Sequence, residues 1–159
     1  MLEMRQLDLQ REHDFQILVR CTARLYRELI GDDGAALSDA QLQQIRAQIT
    51  DESPLHWAFV GTLGADEPVA FFTLAESFAL FAHGRYGILN ELWVDSTRRN
   101  AGLGAQVIEH CRTFGRQRGW QRIDVSAPPD PRWDRSFEFY KRCGFVLTGR
   151  KLKIHIDVD

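Results

Sequence analysis

Apolar side chains recur along this chain with two different periods, and the points where the period changes mark its elements. Leu7 and Leu9, two residues apart, predict a short opening strand. From Asp14 the spacing lengthens: Phe15, Leu18, Val19, Thr22, Leu25, Tyr26 and Leu29 share a helical stripe, and Gly31 ends it. Asp32-Asp33-Gly34 reads as a turn. Ser38 with Gln41 has the form of a capping box, opening a second helix that runs to about Ile49 with Leu42 and Ile45 on one side. Alternation returns in His56–Leu63 and Pro68–Glu76, a hairpin joined through Gly64-Ala65-Asp66-Glu67. Gly84 and Gly87 bracket a further turn before a strand at Ile88–Val94.

From Gly102 to Arg118 the stripe Leu103, Val107, Ile108, Cys111 and Phe114 predicts an amphipathic helix, with Gly119 as its C′ residue. Ile123–Ser126 is a short strand. Pro128-Pro129-Asp130-Pro131 is a loop leading to a short helix over Arg135–Arg142, stopped by Gly144. Phe145–Val158 reads as strand-rich, with a turn at Gly149-Arg150. The order is β-α-α-β-β-β-α-β-α-β, with room for a seventh strand. A strand–helix–strand crossover around Trp93, Val107 and Val125 requires locally parallel strands, while the hairpins require antiparallel ones. The expected class is therefore α+β (mixed α/β). Six to seven strands form a mixed, mostly antiparallel sheet flanked by about four helices, as a single domain over residues 1–159.

Composition narrows the function. A chain of 159 residues with 44% hydrophobic and 26% charged residues supports its own core without disulfide or metal staples. A net charge of −2 gives no global field for nucleic acid or anionic membrane, so neither is expected as a partner. The longest apolar run, Pro68–Leu74, falls far below the roughly 18 residues of a membrane span. The N-terminus is too acidic for a signal peptide. Cys21, Cys111 and Cys143 form no Cys-x-x-Cys pair, and the five histidines show no ligand spacing, so no metal is expected and the expected compartment is the cytoplasm.

The segment Leu92-Trp93-Val94-Asp95-Ser96-Thr97-Arg98-Arg99-Asn100-Ala101-Gly102-Leu103-Gly104-Ala105 carries the chemistry. A strand ends, an Arg-bearing turn follows, and two glycines stand where a helix begins. First-turn amides lack intrahelical acceptors and sit at the positive end of the helix dipole. Glycines let a phosphate approach that backbone, and arginine adds charge. The spacing is neither Gly-x-Gly-x-x-Gly nor a Walker loop. On its own, Arg-x-x-Gly-x-Gly also suits a tight strand-to-helix turn with no ligand.

A second motif, Ser136-Phe137-Glu138-Phe139-Tyr140-Lys141-Arg142-Cys143-Gly144-Phe145, lies about forty residues downstream. With Arg99, Gly102 and Gly104 matching Gln/Arg-x-x-Gly-x-Gly/Ala, and Tyr140 and Gly144-Phe145 matching the later signature, the sequence resembles the GNAT superfamily of acyl-CoA-dependent N-acyltransferases. Leu89–Val94 after an extended hairpin looks most like its diamine and thialysine acetyltransferase group. It departs from that group at Asn90, where relatives carry Glu, and from the superfamily's second motif at Trp133, where Asn commonly stands and Asp134 is the available substitute.

The resemblance implies acetyl-CoA as co-substrate, with pantetheine pairing along Leu92, Trp93 and Val94. Pyrophosphate would lie on Arg99, Asn100, Ala101, Gly102, Leu103, Gly104 and Ala105. It also implies direct attack by an amine on the thioester in a ternary complex, with a backbone N–H near Trp93 or Val94 stabilising the oxyanion. An alkylammonium must lose a proton before attacking, so a carboxylate is needed: Glu91, with Glu76 in reserve. Against this, simple strand alternation could turn Glu91 away from the site and leave it an ion-pair residue. Tyr140 is the candidate acid for the departing thiolate, its alternative being a packing role beside Phe139. Arg112, Arg116, Arg118 and Arg122 form either a solvated helix face or a contact for the CoA 3′-phosphate.

The reading is acetyl transfer to the primary amine of a small molecule. The alternatives are a non-catalytic acyl-CoA-binding or regulatory module, and an acetyltransferase for protein or peptide amines. A homodimer through strand edges or the hairpin is left open.

Overall fold

The computed structural model describes residues 1–31, 37–49, 56–64 and 67–156. Its sheet contains β1 (Glu3–Gln6), β2 (His56–Thr62), β3 (Ala70–Ala79), β4 (Gly84–Val94) and β5 (Ile123–Val125), in that spatial order. β1 to β4 form an antiparallel meander. β5 arrives on the far side of β4 after a helical crossover, and the Gly87 N–H donates to the Arg122 carbonyl at 3.0 Å. Five strands and four α-helices, α1 (Glu12–Ile30), α2 (Asp39–Ala47), α3 (Leu103–Gln117) and α4 (Asp134–Arg142), are present among the described residues. The six to seven strands expected from the pattern are therefore too many.

The two faces of the sheet are covered differently. Leu7, Leu9, Ile17, Cys21, Ala58, Val60, Phe71 and Trp93 form one buried cluster, with Leu18 and Leu25 of α1 packed on it. On the opposite face the rings of Phe59 and Phe72 meet His110, and Trp57 and Phe59 meet Phe114, all at 5.2–6.0 Å. α3 supplies that layer, burying Leu103, Val107, Ile108 and Cys111 as its stripe predicts. α2 opens with the expected capping box: the Ser38 hydroxyl accepts from the Gln41 N–H, and the Gln41 side chain accepts from the Ser38 N–H.

Several boundaries move. β1 is Glu3–Gln6, and Leu7 and Leu9 lie beyond it as core residues of the run into α1. The β3–β4 hairpin is longer than its sequence signals, turning at Leu80–His83 rather than between Gly84 and Gly87. His83 and Gly84 supply the positive φ there, at 57° and 118°. Gly87 is a strand residue for another reason. A Cβ on it would meet the Trp120 ring at 2.4 Å, so the glycine admits a tryptophan, not a turn. The turn at Asp32-Asp33-Gly34, together with Ala65 and Asp66 of the first hairpin loop, lies outside the described residues.

By internal packing the chain divides into two units, Met1–Asp124 and Val125–Asp159. In the second, Asp130 caps a short 3-10 turn by accepting from the Arg132 N–H, and α4 follows. The strands expected over Phe145–Val158 are not formed in the described part, Phe145–Ile156. Val146, Leu147, Leu152, Ile154 and Ile156 are highly exposed there. Period-two apolarity without a hydrogen-bonding neighbour makes no strand.

Candidate active site

β4 changes character part of the way along. Leu89 pairs with Leu74, but Glu91 pairs with Thr73, so Asn90 is an extra residue and the register slips there. Regular alternation would put Glu91 on the face of Leu89. The bulge sends it to the other face, toward α1. There its carboxylate accepts hydrogen bonds from the Tyr26 hydroxyl at 3.2 Å and from the Thr73 hydroxyl. Burial pushes the Glu91 carboxyl above the ordinary range, and the Tyr26 bond only partly offsets this. Tyr26 is itself raised, by burial first and by the Glu91 charge second.

Glu76, the reserve base, is partnered differently. It accepts from the Trp120 indole N–H at 2.6 Å and the Arg118 guanidinium at 3.1 Å, with Arg85 at 3.8 Å. Burial alone would raise its carboxyl. The indole and guanidinium outweigh it and hold the group below the ordinary range. A carboxylate locked to two donors in this way is a structural hub and a poor proton acceptor.

Beyond the bulge, the Asp95 N–H donates to the Val69 carbonyl of the run into β3 at 2.9 Å. Strand alternation then directs the backbone groups of Glu91 and Trp93 toward β3, and those of Leu92 and Val94 away from it. β5 has three residues against eleven in β4 and bonds near its start, at Gly87. Three residues cover about 10 Å. Among the described residues of the first unit, no strand pairs with the end of β4 on the β5 side, toward which the N–H and C=O of Leu92 and the N–H of Val94 point. The Val94 carbonyl is already taken, by the Arg99 Nε at 2.9 Å. Of the two amides expected near the oxyanion, that of Trp93 is directed toward β3 and that of Val94 away from it.

The chain next makes a 3-10 turn, Ser96–Arg98, which Asp95 caps by accepting from the Thr97 N–H. Asn100 and Gly102 adopt positive φ, 65° and 77°, and α3 starts at Leu103 with no side-chain cap. A Cβ at Gly102 would meet nothing within 4 Å. Open approach, uncapped first-turn amides at Leu103–Ala105 and the adjacent Arg99 suit a pyrophosphate. The basic patch fits less well. Arg112 and Arg116 pair with Glu109, Arg118 with Glu76, and Arg122 with Asp124.

The first unit thus brings together Glu91, Leu92–Val94 and Arg99–Ala105. Tyr140 belongs to the second unit, on α4, with its ring 5.3 Å from Phe139 and 5.6 Å from Phe145. Periodicity places Tyr26 only on a helical stripe, and Thr73 carries no local signal of a role. Their partner is 65 and 18 residues away in sequence, and the bulge that unites the three has no local signal. No group of three His, Cys, Asp or Glu arranged to hold a metal occurs among the described residues. Nor is any helix among them long and apolar enough to cross a membrane.

Comparison with known proteins bears on the family and the fold. A curated relative, the peptidyl-lysine N-acetyltransferase YjaB of Salmonella typhimurium, is 26% identical over 70% of this chain. The match spans 63% of that relative's own length. Among solved structures, an integron cassette protein from the mobile metagenome of V. cholerae superposes with a TM-score of 0.76 at 23% identity, over 99% of this chain and 93% of the other. An aminoglycoside acetyltransferase from an uncultured soil metagenomic sample gives 0.74 at 16%, over 99% and 97%. The aminoglycoside 6′-N-acetyltransferase AAC(6')-Ih of Acinetobacter baumannii gives 0.73 at 13%, over the full length of both. These likenesses concern the fold. The model of the acetyltransferase (GNAT) family matches residues 22–145, which include β4, the turn at Arg99 and α4, and the chain belongs to that family.

Proposed function

We propose that this protein, acting as one domain in the cytoplasm, moves an acetyl group from acetyl-CoA to the primary amine of a small molecule, by direct attack in a ternary complex. The observation that carries the reading is the Glu91 carboxylate. It is largely buried, raised in pKa, held by hydroxyls and next in sequence to the outward-facing backbone of Leu92 and Val94. Acetyl-CoA supplies the activated acyl group as a thioester. An ammonium near pKa 10 must first be deprotonated, and Glu91 takes that proton directly or through one water. The Val94 N–H, aimed off the sheet, is the donor for the developing oxyanion. Arg99 and the amides Asn100–Ala105 hold the pyrophosphate, and Tyr140 returns a proton to the leaving thiolate.

The test is release of free thiol from acetyl-CoA over a panel of aminoglycosides, short diamines and lysine peptides. Turnover with a small amine, lost in Glu91→Gln, supports the proposal. Failure to bind acetyl-CoA overturns it. Diamines are the finer acceptor class, on the likeness of Leu89–Val94, and Asn90 argues against them. A second reading, acetylation of peptide lysine, is favoured by the activity named for the curated relative. A purely binding module predicts that Tyr140→Phe changes nothing, whereas the enzyme loses turnover and keeps its affinity for acetyl-CoA. Any homodimer is to be tested by light scattering.

A further inference from the structure

Glu28 occupies the last turn of α1, where the helix dipole disfavours an acid. Its two oxygens are engaged by separate segments. One accepts from the Trp93 indole N–H at 2.8 Å, and the other from the Arg99 guanidinium. One helical turn earlier on the same face, the Arg24 guanidinium lies 5.7 Å from the centre of the Trp93 ring. Arg99 in turn reaches back with Nε to the Val94 carbonyl. The Nε–Nη2 edge of its guanidinium is thus consumed within the protein, and Nη1 is left for a ligand. The pair is partly shielded, with side chains 36% and 30% exposed.

We infer that Glu28 is a positioning residue for the nucleotide cradle. It holds Arg99 in the one orientation that offers Nη1 to the pyrophosphate, and through Trp93 it fixes the end of β4 at the same time. The inference rests on the proposed cradle at Arg99–Ala105. It also makes α1 a common support, because the same helix reaches Glu91 through Tyr26.

The test is calorimetric titration with two probes: acetyl-CoA, and acetylpantetheine, which has no pyrophosphate. Glu28→Gln keeps an acceptor for Trp93 but withdraws the charge from Arg99. It is expected to weaken acetyl-CoA about tenfold and to leave acetylpantetheine unchanged. Arg99→Lys keeps the charge without Nε and shows the same selective loss, so the question stays open to test if one variant folds poorly. In an Arg99→Ala background, Glu28→Gln adds nothing. Equal weakening of both probes, or additive losses in the double variant, overturns the role of Glu28 alone. An Arg99→Ala protein that binds acetyl-CoA like the wild type overturns the cradle, and this inference with it.

Discussion

Glu76 and Glu91 stand on neighbouring strands of one sheet, both withdrawn from water, and have opposite acid strengths. Glu76 meets an indole N–H and a guanidinium, and its carboxyl falls below the ordinary range. Glu91 meets two hydroxyls, and its carboxyl rises above it. Burial alone therefore does not make a base. At Glu91 burial outweighs the hydroxyl that favours the charge, whereas at Glu76 the indole and guanidinium outweigh burial, and the balance separates a structural acid from a candidate base.

The largest test of that contrast is the rate. Glu91→Gln should lower turnover by about 10²–10⁴, the usual contribution of general acid–base catalysis, whereas Glu76→Gln should leave the reacting geometry intact. Stability should move the other way. Glu76→Ala leaves the Trp120 indole and the Arg118 guanidinium without their acceptor and should cost about 1–3 kcal/mol, read from denaturant midpoints. Gly87→Ala approaches the same hub from the opposite side. Its Cβ would enter the space of the Trp120 ring, and overpacking of this kind costs about 1–3 kcal/mol with no change in the pH dependence of turnover.

Smaller effects give the sign of each shift. The depressed Glu76 carboxyl contributes stability that is complete above its ordinary value of 4.5 and lost as pH falls through its lower folded value. The raised Glu91 carboxyl does the reverse, costing stability as pH climbs from 4.5 through its folded value. Melting at neutral pH should therefore show Glu91→Gln more stable than the wild type, and a less stable Glu91→Gln would break the contrast. Last, Tyr26→Phe removes a bond that favours the charged carboxylate. The acid limb of the pH–rate profile, expected from the raised Glu91 carboxyl, should move to higher pH than in the wild type.

Legibility from sequence follows the range of the interactions. The Ser38–Gln41 box, the α3 stripe and the Gly119 stop involve residues close together in the chain, and all appear as the pattern predicts. The motif Arg99-x-x-Gly102-x-Gly104 is local as well, and its uncapped helix start is present. Interactions across the sheet were hidden. Glu28 is 65 residues from Trp93, and Glu76 is 44 from Trp120, so neither carboxylate announces its partner. The C-terminal alternation at Leu152, Ile154 and Ile156 misled for a related reason. A period of two records which side chains share a face and is silent about whether a neighbouring strand is present to pair with.

The extra residue at Asn90 works as a phase change within a single strand. Upstream, the odd positions Leu89 and Gly87 serve the α3 layer. Downstream, the odd positions Glu91 and Trp93 serve α1. One continuous backbone thereby runs two reading frames, so the two ends of β4 can be rewritten independently, and the loss of one residue would exchange the acid with its packing neighbours.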